Sequence, residues 1–499
     1  MNLLREELSW ITPELCLTLF ACVALLVDLF VQKGRESVMV GFFSLMGLLA
    51  TAFFLYRQYG VTPPAQPVFG CMVVDPFSTL FKLFAVGALA FVVLFTMLSR
   101  QTRPDGYGEF YFILLCAGLG AFFLASTYNL LLMYLGLELL SIASYILAGY
   151  AKGNRRSGEA AMKYVIFGAV ASGVMLYGFT LLYGMTGSID LTVIGPKLRD
   201  QFALDHGTIP ISVATGLCLA GFAYKISAAP FHFWTPDVYE GAPTPVTTFL
   251  AVASKGAGFA ALLRFLQAGF IPDRTLGGPE AMMGYSDKLG TLVAVLAALT
   301  MTLGNLAALG QTNLKRMLAY SSIAHAGYVL MGVATMNREG FSSVLFYLVV
   351  YYFMNLGAFG VVMYYANTTG DEQIDDLKGL GWRSPLVAIT MVAFLVALVG
   401  LPPTAGFIGK WFLFTAAVKK GFLWLAVVAG INSAISLFYY FRVARAMWLR
   451  PEEEAKYATV HASPAFAALL LVLAVGTVWF GVGFDSLLRY CDYSQNLLR

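Results

Sequence analysis

The sequence predicts an all-α polytopic membrane protein of about fourteen transmembrane helices, which include two inverted five-helix repeats. Of its 499 residues, 59% are hydrophobic and only 12% are charged, whereas a soluble domain carries about 25% charged residues. Apolar stretches long enough to cross a bilayer recur along the whole chain. Two of these stretches contain a proline-rich interruption near the middle, which predicts broken helices.

The spans follow from the rule that a transmembrane helix needs about 20 mostly apolar residues. They run approximately over residues 13–31, 38–56, 75–97, 108–125, 129–150, 160–183, 209–238, 244–268, 289–309, 315–335, 342–366, 386–416, 423–448 and 464–484. The segment before the first span contains Glu6 and Glu7 and lacks a basic leader. It therefore predicts a retained helix, not a signal peptide.

The seventh and twelfth spans are too long for straight helices across about 30 Å of hydrocarbon. Each contains a breaker, Ala229-Pro230 in the seventh and Pro402-Pro403 in the twelfth. They lie five helices apart, and an odd offset makes them cross in opposite directions, as in inverted repeats. The predicted units are an N-terminal three-helix segment at 1–105, a first repeat (helices 4–8) at 106–270, a second repeat (helices 9–13) at 285–448, and helix 14 with a tail at 449–499.

Lysine and arginine are unequally divided between the two alternating sets of loops. The richer set contains Lys33, Arg35, Arg100, Arg103, Lys152, Arg155, Arg156, Lys315, Arg316, Lys378, Arg383, Arg445, Arg450 and Lys456. The poorer set contains Arg57, Lys197, Arg199, Arg274, Lys288, Arg338, Lys419 and Lys420. The positive-inside rule places the richer set in the cytoplasm. This predicts a bacterial inner-membrane protein with periplasmic termini.

Charged side chains inside the predicted spans are candidates for function, because each costs about 2.5–3.5 kcal/mol at a helix centre. They are Glu138, Lys163, Lys225, Lys255 and Lys410. Lys225 precedes the break in the seventh span, and Lys410 follows the break in the twelfth. Burial disfavours a charged lysine and a nearby carboxylate favours it, so a Glu138–lysine pair can control proton binding. We expect a water-linked proton path, which His232 and His325 could join because histidine titrates near neutral pH.

Structural explanations stay open for several of these residues. Lys163 lies near the start of its span, where a flexible side chain can reach the surface. Lys255 could bond to a backbone carbonyl, and His325 could be a hydrogen-bonded core residue. A haem would need His232 and His325 to converge, and the six scattered cysteines contain no C-x-x-C pair. We therefore expect no metal or cofactor site and no nucleic-acid-binding basic block in this chain.

Four segments carry recognisable motifs: YKISAAPFHFWTPDVYEGAPTPVTTFLAVASK, GNLAALGQTNLKRMLAYSSIAHAGY, MYLGLELLSIASYIL and VGLPPTAGFIGKW. Together they resemble the antiporter-like subunits of respiratory complex I, the NADH:quinone oxidoreductase. The resemblance in helix number and motif order covers essentially the whole chain. Its most specific part is the first segment, because isolated lysines alone would not identify a family.

The resemblance implies two half-channels in a membrane arm, and proton pumping driven by quinone reduction in other subunits. It implies that Glu138 is the fifth-helix glutamate and Lys225 its partner on the broken seventh helix. Lys163 would be the sixth-helix lysine, Lys255 the central lysine of the eighth helix and Lys410 the exit-side residue of the twelfth. NADH, FMN, iron–sulfur clusters and quinone would belong to partner subunits.

The expected partners are other membrane-arm subunits, the lipid bilayer and protons. An alternative is a subunit of an Mrp-type cation/proton antiporter or of a related membrane-bound hydrogenase. A scaffold whose lysines bind lipid is a third hypothesis. Co-purification with flavin and iron–sulfur subunits would favour complex I.

Overall fold

A computed structural model describes residues 7–31, 36–59, 61, 64, 66–99, 106–203, 208–271, 280–449 and 462–495. Within these residues, 13 helices are long and apolar enough to cross a membrane. A further crossing is divided between two helices of 15 residues each, at the position of the predicted twelfth span. The prediction of an all-α polytopic membrane protein with about fourteen crossings is confirmed.

The crossings are numbered in chain order, with the two halves of a broken helix marked a and b. They are α1 (Thr12–Phe30), α2 (Glu36–Gln58), α3 (Pro76–Leu98), α4 (Tyr107–Ala125), α5 (Leu130–Ala148), α6 (Arg155–Thr186), α7a (Thr208–Ile226), α7b (Trp234–Gly241), α8 (Thr244–Phe270), α9 (Glu280–Leu309), α10 (Leu314–Ala334), α11 (Arg338–Thr369), α12a (Pro385–Val399), α12b (Ala405–Lys419), α13 (Leu423–Trp448) and α14 (Pro464–Val482). Shorter helices Leu191–Ala203, Leu380–Arg383 and Phe484–Ser494 lie between or after them.

Polar caps fix where several helices begin. Asp75 accepts a hydrogen bond from Ser78 N, and the Ser78 hydroxyl accepts one from Asp75 N, which forms a capping box for α3. Asn129, Asn154 and Asn313 accept bonds from the first-turn amides of α5, α6 and α10. These side chains satisfy backbone donors that the hydrocarbon cannot satisfy.

The same order of neighbours occurs in the two repeats. In the first, α4 packs against α5, and α6 packs against α7a. In the second, α9 packs against α10, and α11 packs against both α12a and α12b. The broken helices α7 and α12 are five crossings apart and run in opposite directions, as predicted for inverted repeats.

The exact unit boundaries stay predictions. Residues 100–105, 272–279 and 450–461, which flank three of the predicted units, lie outside the described ranges. The same holds for some of the loop cations used for the predicted topology, namely Lys33, Arg35, Arg100, Arg103, Arg274, Arg450 and Lys456.

The break in α7 is held by side chains from both repeats. The Ala229 amide donates to Thr300 Oγ1 of α9 at 3.0 Å. The Trp234 indole donates to the Tyr224 carbonyl at the end of α7a, at 3.1 Å. The second repeat therefore supplies one of the partners that the broken backbone of the first repeat needs.

The break in α12 is held by its own lysine. α12a ends at Val399, and Gly400 adopts a left-handed conformation with φ of 86°. Lys410 of α12b reaches back and donates to the carbonyls of Leu398 at 3.2 Å and Val399 at 2.8 Å. A cation at a helix C-terminus also interacts favourably with the helix dipole.

Two buried ion pairs connect the N-terminal helices to one another and to α8. Lys82 of α3 lies 2.6 Å from Glu14 of α1. Arg264 of α8 lies 2.7 Å from Asp75 and also donates to the Ala125 carbonyl at 2.6 Å. Neither pair is among the candidates from the sequence, although their cations lie within predicted spans.

We expect Arg264→Met to lower the free energy of unfolding by about 3–5 kcal/mol, because it leaves the Asp75 carboxylate buried without its cation. Thermal or chemical unfolding of the purified protein in detergent would measure this loss. Arg489→Met is the matched control, since Arg489 and Asp485 form an exposed pair. Equal stability of the two variants would contradict the expectation.

Candidate functional site

Lys225 lies in the last turn of α7a, directly before the break, and its side chain is only 2% exposed. Its ammonium donates to Ser141 Oγ of α5 at 3.0 Å. Ser141 is three residues after Glu138, so the two side chains share a helix face. Among the described residues, Lys225 forms no ion pair with Glu138. The Glu138–Lys225 pairing stays a prediction, and the contact that the structure shows is the one between Lys225 and Ser141.

Glu138 is half-buried and lines a cavity of about 460 Å³ on the outer side of α5 and α6. Tyr134, Tyr145 and Ser172 line the same cavity. The carboxylate thus has polar neighbours while Lys225 lies deeper in the fold. The Glu138 carboxylate therefore lies nearer the protein surface, and the Lys225 amine lies in the interior.

Lys255 lies at the centre of α8, where the helix contains a π-helical segment, Leu250–Ser254. Insertions of this kind occur frequently at functional sites. The Lys255 ammonium donates to the Ser322 carbonyl of α10 at 2.8 Å and also to the Ser322 hydroxyl. The predicted carbonyl partner is thus present, and the serine hydroxyl extends the contact to further polar groups.

His325 lies one turn beyond Ser322 on α10 and is 2% exposed. Its Nδ1 lies 2.6 Å from the Tyr347 hydroxyl, and its Nε2 lies 3.2 Å from the Tyr440 hydroxyl. The Tyr440 hydroxyl also contacts the Ser321 hydroxyl. Both ring nitrogens are therefore occupied by tyrosine hydroxyls, which leaves neither for a haem iron.

Lys410 makes polar contacts beyond the α12 break. Its ammonium donates to Ser433 Oγ of α13 at 3.1 Å and lies 4.3 Å from the ring centroid of Tyr328. The Tyr328 hydroxyl accepts from Ser433 at 3.4 Å and from Asn305 at 3.3 Å. Lys410 therefore connects α12 to α9, α10 and α13.

These contacts form a nearly continuous row of polar groups from Lys255 to Lys410. The Ser322 hydroxyl accepts from Tyr351 at 2.9 Å. The Tyr351 ring lies 5.2 Å from the His325 ring, and the Tyr328 ring lies 5.7 Å from it. At these distances the rings are in direct contact, so the imidazole of His325 packs against both tyrosines. The row crosses from α8 of the first repeat into the second repeat.

On the first-repeat side, Tyr164 lies between the serines near Lys225 and those near Lys255. It is fully buried, and its hydroxyl faces Ser144 of α5 and Ser254 of α8. The hydroxyl makes no hydrogen bond that meets normal geometry with any described residue. Buried hydroxyls of this kind commonly bind water. Tyr164 therefore lies between the polar groups around Lys225 and those around Lys255, where the described residues form no continuous chain of hydrogen bonds.

Lys163 lies apart from this row, at the end of the molecule where α6 and α10 begin. It pairs with Asp237 at 2.6 Å and with Glu159 at 2.8 Å, and its side chain is 38% exposed. Arg316 of α10 pairs with the same Asp237 at 2.6 Å and with Glu240 at 2.9 Å. These pairs connect α7b to α6 and α10. The role of Lys163 in proton transfer stays a prediction.

His232 lies within the α7 break and does not meet His325 through any described contact. Its ring stacks on Phe233 with centroids 4.6 Å apart. Its Nδ1 is buried and has no hydrogen-bond partner among the described residues. Its predicted part in the relay stays a prediction.

The sequence predicted the lysines of this site but not the tyrosines and serines between them. The sequence analysis did not select Tyr328, Tyr347, Tyr351 or Tyr440 as candidates, because nothing in the sequence distinguishes a buried tyrosine hydroxyl that faces a lysine. Across the described ranges, no cluster of three or more His, Cys, Asp or Glu side chains could hold a metal ion.

Comparison with known proteins places this geometry in a family. The profile of the NADH:quinone oxidoreductase/Mrp antiporter transmembrane family matches residues 127–436. NADH-quinone oxidoreductase subunit N of Chlorobium chlorochromatii is 43% identical over 504 residues, which cover 99% of this chain and 96% of the relative. The chain belongs to this antiporter-like family.

Solved structures agree with membership of the antiporter-like family. A chain of respiratory complex I from Thermus thermophilus matches with a TM-score of 0.77 and 35% identity, over 96% of this chain and 99% of that chain. A chain of the Mrp complex from Dietzia sp. shares the fold, with a TM-score of 0.78 and 23% identity over 97% of both chains. The resemblance derived from the sequence motifs is therefore confirmed.

Lys410 stabilises the break in α12 by donating to the Leu398 and Val399 carbonyls, and this contribution can be measured. Lys410→Met should destabilise the protein by about 1–3 kcal/mol for each of the two carbonyls left without a donor. Denaturant unfolding in detergent would measure the change, with Lys419→Met as the control because Lys419 forms an exposed pair with Glu339. Unchanged stability of Lys410→Met would contradict the capping role.

Proposed function

We propose that this chain is a proton-translocating membrane-arm subunit of NADH:quinone oxidoreductase. Its role is to move protons through Glu138, Lys225, Lys255 and Lys410 while quinone is reduced elsewhere in the complex. The observation that carries the proposal is the buried row of polar groups from Lys255 to Lys410. This row crosses from one inverted repeat to the other and ends beside a helix break.

The chemistry of the row supports proton relay. A lysine ammonium gives a proton to a hydroxyl or imidazole acceptor, and the hydroxyl releases its own proton to the next acceptor. Each such step breaks one N–H or O–H bond and forms another, so no electron carrier is needed in this chain. His325, held by tyrosine hydroxyls at both nitrogens, can accept a proton on one side and release one on the other.

A charge on one lysine affects the neighbouring lysines, because water screens charges only weakly in this buried interior. A proton added near Glu138 changes the electrostatic energy of a proton on Lys225, and Lys225 in turn affects Lys255. Coupling of this kind carries a signal from the outer cavity at α5 and α6 toward α12. It requires no redox centre along the path.

The redox chemistry belongs to partners in this proposal. NADH, FMN, iron–sulfur clusters and quinone bind other subunits, and this chain contacts neighbouring membrane-arm subunits through lipid-facing helices. The chain lies in the inner membrane of a bacterium, with both termini in the periplasm. The loop distribution of lysine and arginine supports that orientation.

Lys255→Met in the assembled enzyme should lower the number of protons pumped per NADH oxidised, because it removes the amine that connects α8 to Ser322. Proton uptake and NADH oxidation measured together in inverted membrane vesicles would give this ratio. Lys152→Ala, a change at an exposed loop lysine, should leave the ratio unchanged.

A normal ratio for Lys255→Met would contradict proton translocation through this row. Purification separates the alternatives independently of that result. Isolation of the tagged chain with flavin and iron–sulfur subunits would support the oxidoreductase, and isolation with antiporter subunits alone would support an Mrp-type function.

An epitope at either terminus should be accessible to antibody in intact spheroplasts, because the proposed topology places both ends in the periplasm. An epitope inserted at Gly153, in the loop before α6, should become accessible only after lysis. The reverse pattern would invert the topology without changing the site.

A further inference from the structure

A polar pocket of about 300 Å³ opens at the end of the molecule where α6, α8 and α10 begin. It is lined by Glu240, Ala242, Thr244, Lys315, Asn367 and Glu372, among others. In the proposed topology this end faces the cytoplasm. The walls come from both repeats, since α7b and α8 form one side and α10 and α11 form the other.

A buried lysine and a carboxylate organise the pocket. Lys315 Nζ donates to the Ala242 carbonyl at 2.8 Å and lies 3.1 Å from Glu372 Oε1. Its side chain is 4% exposed, whereas that of Glu372 is 20% exposed. Lys315 therefore fixes the turn between α7b and α8, and Glu372 presents a carboxylate to water in the pocket.

Helix α11 gives the depth of the pocket relative to the buried row. Met363 lines the pocket. Phe359, one turn deeper, contacts the Tyr239 ring at 6.2 Å between centroids. Tyr351, which donates to Ser322, lies two further turns in, about 18 Å from Met363 along the axis. Tyr239 thus lies between the pocket and the Lys255 site.

Tyr239 is fully buried, yet its hydroxyl has no hydrogen-bond partner of normal geometry among the described residues. The hydroxyl faces Ser322, the residue that accepts from Lys255. A buried hydroxyl without a hydrogen-bond partner is a favourable binding position for a bridging water, because the water replaces the hydration that burial removed. The position suits a group that passes a proton between water on one side and Ser322 on the other.

We propose that this pocket is the site at which hydrated protons enter the buried row, and that Tyr239 connects it to Lys255. The inference rests on the proposed function and specifies its uptake site. A proton from pocket water adds to the Tyr239 oxygen while the original Tyr239 proton moves toward Ser322. Ser322 passes its own proton to the neutral Lys255 amine, which becomes an ammonium.

Tyr239→Phe in the assembled complex tests the connection, because it removes only the hydroxyl. Coupled NADH oxidation and proton uptake in inverted vesicles should slow on the order of tenfold or more, as for loss of a proton-transfer group. The solvent isotope effect in D₂O should rise. Tyr352→Phe, at a buried tyrosine packed against Phe84 and Phe91, should leave both quantities unchanged.

Unchanged uptake in Tyr239→Phe together with loss in Lys255→Met would overturn the pocket and leave the proposed function standing. Unchanged uptake in both variants would overturn both. If Tyr239→Phe does not assemble, Asp371→Cys at the exposed pocket rim decides the matter. A bulky maleimide there should slow uptake, whereas the same label on Arg445→Cys, at an exposed position of α13 that does not line the pocket, should not. Equal rates for the two labelled variants would overturn the pocket.

Discussion

The fold depends on one constraint, which is that an amine buried in hydrocarbon must find acceptors in protein. The helix breaks provide them. At α12, the interrupted backbone leaves the Leu398 and Val399 carbonyls free to accept from Lys410. At α8, Lys255 uses the Ser322 carbonyl of a neighbouring helix. Each lysine is therefore tolerated because a specific piece of backbone or hydroxyl faces it.

This constraint also explains why the two repeats are interlocked. The Ala229 amide in the α7 break of the first repeat donates a hydrogen bond to Thr300 of the second. Lys255 of the first repeat bonds to Ser322 of the second. Arg316 of α10, in the second repeat, pairs with Asp237 and Glu240 of α7b, in the first repeat. These ion pairs are a further connection between the two repeats. A displacement of α7b would have to disturb contacts in both repeats.

The sequence was sufficient for features that depend on composition and spacing. Broken helices beside Lys225 and Lys410 were predictable, because a proline in the middle of an apolar span and a lone lysine beside it can be read directly from the sequence. The tyrosines around His325 were not, because their role depends on which faces of α10, α11 and α13 meet. Lys82 and Arg264 are cations within predicted spans, as Lys255 is. Their ion pairs could not be predicted, because the partner carboxylates of Glu14 and Asp75 belong to other parts of the chain that only the fold brings close. Ser141 was likewise not predicted as the acceptor for Lys225, because the way α5 and α7a face each other cannot be read from spacing alone.

The lysines differ in how well the protein accommodates a positive charge. Among the described residues, Lys225 donates to one acceptor, Ser141, whereas Lys255 donates to the carbonyl and hydroxyl of Ser322. Lys410 donates to three acceptors and also lies over the Tyr328 ring. Because each added acceptor replaces part of the hydration that burial removes, hydrogen bonds support the ammonium form most at Lys410, whereas at Lys225 the charge of Glu138 contributes as well. The proposed proton path would therefore pass between lysines whose positive charge is supported in different ways.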